Sequence, residues 1–253
     1  MFKRTISFLL LSLILLPTLY LAEDKPVITV SILPVQTFVQ KVVGNKADVF
    51  NMIPPGASPE TFDPSPIDKQ NLNLSKLYFS IGVPAEVINI IPYLNKETKL
   101  VELDKIVAEK YEDYTIDGGR DPHIWLSPKR VIVMVDNIAK TMMELDPENS
   151  IYYRQNANNY IQELEALDIQ IKDNFKAIKN NKVIAFHPAF QYFTKDYGLE
   201  LFSLEEHGKE ATPQHLQNML DFSHKENIKV IFYQSEISSR QAMSFAEEIG
   251  GEA

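Results

Sequence analysis

Cysteine is missing altogether. Disulfides are therefore excluded, and the fold has to be held by packing alone. The same absence leaves no thiol for lipid attachment behind a leader segment, so a soluble exported protein is expected rather than a lipid-anchored one. Positive charge is also scarce: 25 Lys and Arg stand against 34 Asp and Glu, a net charge of −9. That balance argues against nucleic acid and anionic membrane surfaces as partners, which call for basic patches. It mildly favours cationic ligands. The chain has no short internal repeat, no low-complexity tract and no HExxH motif. The apolar run Ile6–Leu16, broken only by Ser7 and Ser12, is too short to cross a bilayer.

That run lies in "MFKRTISFLLLSLILLPTLYLAED", which has the layout of a secretory signal. Lys3 and Arg4 open it, Pro17 ends the apolar part, and Ala22 offers a small residue before Glu23. Residues 1–22 are expected to be removed on export to the periplasm. Losing Lys3 and Arg4 takes the net charge from −9 to −11. A chain of 253 residues with 45% hydrophobic content has room for two modest domains, each with a core.

Short apolar runs alternate with helical patterns along the chain. "VITVSI" (27–32), "ADVFNMI" (47–53), "KLYFSIG" (76–82) and "TKLVEL" (98–103) read as strands, with helices over 35–44 and near 84–91. Residues 127–145 form a helix with Ser127 as N-cap and Pro128 in its first turn. The alternation restarts with strands at 182–186, 199–204 and 228–234 and helices at 188–198, 212–227 and 238–251. This pattern predicts βαβ units and mainly parallel sheets. The second half holds three strands where a further one would follow, so its lobe reads as truncated.

Between the halves runs one uninterrupted amphipathic pattern. Asp146 caps it and Pro147 follows; Tyr153, Ala157, Tyr160, Leu164, Leu167, Ile171, Phe175 and Ile178 form a stripe at steps of three and four. Roughly thirty residues at 1.5 Å each give a rod of about 45 Å, long enough to run along two domains. The expected organisation is a signal at 1–22, an N-terminal lobe at 23–145, a linking helix at 146–180 and a C-terminal lobe at 181–253.

Ligands of open α/β sheets sit at the carboxyl ends of strands. Two chemically capable side chains lie there: Glu60, in the loop after the 47–53 strand, and His187, directly after "VIAF". His123, in "RDPHIWLSP", lies on the loop before the 127–145 helix. Two imidazoles and a carboxylate on separate loops suit a divalent transition metal. Unrelated positions are an open alternative, since a histidine before proline serves as an ordinary N-cap. The loop around Glu60, "IPPGASPETFDPSP", has five prolines in fourteen residues. Proline fixes φ, so a stiffened loop presents its carboxylate with little ordering cost.

Four blocks, "PPGASPETFDPSP", "DPHIWLSP", "FHPAFQYFTKDYGLE" and "SLEEHGKEATPQHL", resemble, in order, signature blocks of the metal-binding solute-binding proteins of zinc and manganese ABC importers. The resemblance covers nearly all of 27–253. It implies two βα lobes joined by one long rigid helix, with the metal in the cleft between them. It implies His123 and His187 as ligands. Glu60 stands where many members have histidine and is read as the substituting ligand. The family's usual fourth ligand, an aspartate, comes from beyond residue 253; Glu236 is the nearest alternative within the chain, and reads more simply as a solvated glutamate. Asp121 would orient His123, and Trp125 would pack behind the site. His207, His215 and His224 read as surface residues. Zinc-selective members often carry a histidine-rich acidic loop; "EKYEDYTIDGG" (109–119) is acidic without histidine and reads as a mobile, solvated loop.

The sequence thus leads to a monomeric periplasmic receptor that hands zinc to an ABC permease, with no chemistry on a substrate. Manganese is the alternative cargo, because the carboxylate hardens the site. An exported zinc-dependent hydrolase is the competing class; it needs a general base near the metal, and none is evident beside either histidine block.

Overall fold

The computed structural model describes residues 25–116, 118–205, 209, 211–234 and 240–251. The expected signal, His207 and Glu236 lie outside them. Strands β1 (Val27–Val30), β2 (Asp48–Asn51), β3 (Leu77–Ser80) and β4 (Lys99–Glu102) form a four-stranded parallel sheet in the order β2-β1-β3-β4. The two inner strands, VITV and LYFS, are almost continuously apolar, as parallel strands covered on both faces must be. Helix α1 (Leu33–Val43) buries Val35, Phe38, Val39, Val42 and Val43 against that sheet, a spacing of three and four that gives one apolar face. It ends at Gly44, with φ +54°, where a side chain would collide with the Tyr152 hydroxyl.

The short helix α2 (Pro66–Leu72) starts on a Ser65–Asp68 capping box. The helix expected near 84–91 is instead a π turn, Glu86–Ile90, running into a 3-10 turn, Ile91–Tyr93. The buried Glu86 anchors the start of this turn to the end of β3: its carboxylate accepts from the backbone N–H groups of Ile81, Gly82 and Val83 and from the Tyr78 hydroxyl. After α3 (Leu103–Ala108) the acidic stretch 109–119 is not a free loop. It leads into an antiparallel hairpin, β5 (Thr115–Ile116) and β6 (Gly119–Arg120). Tyr111 and Tyr114 pack on the core, Asp113 pairs with Arg120 at 2.9 Å, and the Glu112 carbonyl accepts from Arg130. Apolar and ionic anchors at both ends outweigh the solvation of its charges.

Helix α4 (Pro128–Leu145) is capped by the Ser127 hydroxyl, and α5 (Ser150–Phe175) packs beside it after a 3-10 turn at Pro147–Asn149. At 26 residues α5 is about 39 Å long, shorter than the sequence suggests. Its stripe is buried only in the first part. Tyr153, Ala157 and Leu164 join the first core, whereas Leu167 and Ile178 are 43% and 45% exposed. Further on, Phe175 stacks edge-on against Phe193, and the Tyr197 hydroxyl donates to Asp168 at 2.9 Å. One helix therefore touches both halves of the chain.

The second sheet is parallel, three-stranded and ordered β8-β7-β9, from β7 (Lys182–Ala185), β8 (Glu200–Ser203) and β9 (Ile231–Phe232). Helices α6 (Gln191–Asp196), α7 (Pro213–Glu226) and α8 (Arg240–Glu248) accompany it. Ile184, Phe186, Leu204, Met219 and Phe245 lie in its separate core. The seven expected strands are all found, six of them within two residues of the expected ends, while β9 keeps only two residues of 228–234. His215 is not a solvated surface residue: it is half-buried, and its Nε2 meets the Ser203 carbonyl at 3.0 Å, tying α7 to β8. His224 is exposed, as expected.

Candidate metal centre

The three side chains singled out in the sequence meet. One ligand atom from each of Glu60, His123 and His187 lies within 4.8 Å of the others. Each arrives from a different part of the fold. Glu60 sits in the loop after β2, His123 immediately before the 3-10 turn Ile124–Leu126 that leads to α4, and His187 between β7 and α6. Glu60 and His187 follow the rule that open parallel sheets place function beyond the carboxyl ends of their strands; His123 comes instead from the loop after the antiparallel hairpin.

The loop carrying Glu60 is fixed from inside and outside. Ala57 N–H donates to the Pro54 carbonyl and Phe62 N–H to that of Ser58. Ala85, just after the turn gathered by Glu86, donates its N–H to the Pro59 carbonyl at 3.0 Å. The Ser58 hydroxyl donates to Glu60 Oε2 at 3.1 Å and accepts from Glu60 N–H at 3.2 Å. Glu60 itself is exposed.

Each imidazole is backed by a carboxylate. Asp121, fully buried, has Oδ1 2.7 Å from His123 Nδ1 and accepts from His123 N–H at 3.0 Å. Glu205 has Oε2 2.5 Å from His187 Nδ1. A carboxylate only accepts, so both Nδ1 atoms carry the proton, and in the neutral rings both Nε2 atoms present lone pairs. Those two Nε2 atoms face each other at 3.3 Å. Two lone pairs at that distance repel unless a cation lies between them. Trp125 packs its ring 5.0 Å from that of His123.

The electrostatics agree with this reading. Burial pulls the His187 pKa down, but the bond to Glu205 and the nearby charges of Glu205, Glu60 and Asp121 outweigh it. The pKa of His187 ends above the usual 6.5. The site thus attracts positive charge in the form of a proton.

Sequence reasoning missed Glu205 and Gln191. Glu205 occupies the position after β8 that Glu60 and His187 occupy after theirs, and its backbone N–H continues the ladder by donating to the Phe186 carbonyl at 2.9 Å. The strand-end rule could have found it. Gln191 donates Nε2 to Asp121 Oδ2 at 3.1 Å and to the Thr115 carbonyl at 3.2 Å, and no local pattern announces that.

The family described as "Zinc-uptake complex component A periplasmic" matches residues 28–253. The chain is similar to the high-affinity zinc uptake system protein ZnuA of Bacillus subtilis (strain 168), at 28% identity over 244 residues, 90% of this chain and 76% of the relative. It is similar to the zinc-binding protein AdcA of Streptococcus pyogenes serotype M1, at 27% over 258 residues, and spans 92% of its own length but 50% of that relative. A third relative is the manganese ABC transporter substrate-binding lipoprotein PsaA of Streptococcus anginosus, at 26% over 226 residues, 83% of this chain and 72% of the relative. Among solved structures, a crystal structure of ZnuA superposes with a TM-score of 0.82 at 31% identity, covering 90% of this chain and 89% of that one.

Proposed function

Because the chain belongs to the family of periplasmic component A proteins of zinc-uptake complexes, we propose that it captures a divalent metal ion, zinc first, and delivers it to the permease of an ABC importer. The observation that carries this is the pair of carboxylate-backed imidazoles whose Nε2 atoms face each other at 3.3 Å, with Glu60 within reach. His123 and His187 supply two nitrogen ligands and Glu60 one oxygen. The receptor acts outside the cytoplasmic membrane as a monomer, after loss of residues 1–22. Its lobes are 23–145 and 181–253, joined by the segment 146–180 that contains α5.

Two nitrogen ligands and one carboxylate suit a four-coordinate zinc ion with one further position for water or another donor. Manganese favours oxygen-rich, six-coordinate sites. Capture and release require no bond-making on a substrate. Asp121 and Glu205, the two carboxylates bonded to the ligand imidazoles, are each committed to an Nδ1 atom. That supports a carrier over a hydrolase, which needs a general base free to act on water. Calorimetric titration of the purified chain should show one zinc ion bound per molecule, more tightly than manganese. Absence of saturable binding of either ion would overturn the reading.

Two smaller effects follow. Glu60→Ala removes an exposed monodentate ligand from an otherwise intact site, and zinc affinity should fall by about tenfold to a hundredfold, with the melting temperature of the metal-free protein unchanged. Metal binding must also displace protons. His187 titrates above 6.5, so zinc affinity should already decline as the pH drops through neutrality. The sign for the metal-free protein is opposite. A histidine whose folded pKa is raised adds stability that is complete below the unfolded value and disappears as pH rises through the folded one. Titrations in buffers of different ionisation enthalpy near neutral pH should reveal proton release on zinc binding; an enthalpy independent of buffer would contradict the assignment.

A further inference from the structure

Helix α6 belongs to the second lobe by connectivity, yet its buried face is part of the first. Tyr192 is fully buried in the first core, its ring 5.1 Å from Tyr114 and 4.5 Å from the guanidinium of Arg130. Its hydroxyl donates to the Asp121 carbonyl at 2.9 Å, with Asp113 Oδ1 at 3.2 Å as a second acceptor, and accepts from Tyr114 N–H at 3.2 Å. Burial raises its pKa to about 12, so the donor proton stays in place. Beside it, Gln191 donates to Asp121 Oδ2. Asp121 is therefore held at four points: Oδ1 by His123, Oδ2 by Gln191, its carbonyl by Tyr192, and its N–H by the Tyr114 carbonyl at 2.9 Å.

We propose that Gln191 and Tyr192 are positioning residues for metal binding, which act by fixing Asp121 and through it the ring of His123. The inference rests on the function proposed above. A carboxylate bonded through one oxygen can rotate about its Cβ–Cγ axis; a donor on the other oxygen fixes its plane, and with it the angle at which the His123 ring presents Nε2. His187 lies only a few residues before α6, so the seating of this helix also sets where the second imidazole stands. Both nitrogen ligands are thus placed by one event, the docking of α6 on the first lobe. Any motion that lifts α6 lowers affinity from both sides at once, which gives release a handle that does not require separating the whole second lobe.

The test uses Gln191→Ala and Tyr192→Phe in the full chain. Both keep the packing: Gln191 is only half-buried, and phenylalanine preserves the ring. Zinc dissociation constants, measured by competition with a chromophoric chelator, should rise about tenfold in each variant, within the range for partners of metal ligands. The metal-free melting temperature of Gln191→Ala should stay within about 3 °C of the parent, whereas Tyr192→Phe, which strands the Tyr114 N–H and the Asp121 carbonyl, should melt about 3–8 °C lower. The chain has one tryptophan, Trp125, beside His123, so its zinc-induced emission change should also differ from the parent's, a readout that a purely structural role would not move. If both variants bind zinc within about twofold of the parent with the same Trp125 response, the inference is wrong while the metal-binding function stands. If the parent itself fails to bind zinc, both fall together.

Discussion

Replacing His123 or His187 by alanine should lower zinc affinity by at least about a hundredfold, more than any other single ligand change in this protein. Zinc sites built from a few side chains bind with about 10–16 kcal/mol in total, so one ligand's share is about 3 kcal/mol, which converts to roughly two orders of magnitude. The histidines should exceed Glu60 for a structural reason. His123 is buried and His187 half-buried, whereas Glu60 is exposed, so water replaces the carboxylate at lower cost than it replaces an imidazole in a closed setting. Each histidine also leaves a stranded partner: Asp121, fully buried, loses its bond to Nδ1 when the His123 ring is removed and keeps only the backbone N–H of that residue on Oδ1, and Glu205 loses its bond to Nδ1 when His187 is removed. The result is best read as a pair. Loss in only one variant, with parental affinity in the other, would mean that the two nitrogens at 3.3 Å do not share an ion.

The residues that form this site were legible because their chemistry and their position coincide. Glu60 and His187 sit just past strand ends, where the parallel topology implied by alternating apolar runs puts function. The long helix was legible from its stripe, since neither glycine nor internal proline interrupts it. The sequence could not show where that stripe stops being buried, because Leu167 is as apolar as Leu164, yet only Leu164 has a neighbouring layer to cover it. The acidic stretch 109–119 was misread for the converse reason. Its charges suggest solvent, but Tyr111 packs on the core, Asp113 pairs with Arg120 across the hairpin, and Tyr114 and Asp113 meet Tyr192 far away in the chain. The same holds for Gln191, whose role depends on α6 crossing to the other lobe's core. Periodicity reports what a segment wants locally and carries nothing about a contact 70 residues distant, as between Gln191 and Asp121.

That crossing should also dominate stability. Asp196→Ala is expected to cost about 3–5 kcal/mol, the usual effect of breaking a buried ion pair by removing one partner. The Asp196 and Arg130 side chains are 3% and 2% exposed. The carboxylate accepts from Arg130 at 2.9 and 2.8 Å and from the Ser127 hydroxyl at 2.5 Å, and Lys129 approaches it at 2.5 Å. Alanine would leave a buried guanidinium facing neutral partners alone, the Ser127 hydroxyl, the Glu112 carbonyl and the rings of Tyr111, Tyr114 and Tyr192. Those interactions cannot replace the solvation it gave up. For a chain of this size the loss corresponds to a melting temperature lower by about 10 °C. A surface pair provides the control. Lys176 and Asp173 are mostly exposed, at 76% and 57%, so Lys176→Ala should change stability by less than about 1 kcal/mol. Asp196→Asn keeps the shape and one acceptor and should fall between them. Should Asp196→Ala melt like the parent, the pair would be no clamp between lobes, and the close approach of α6 to α4 would have to be held by Tyr192 packing alone.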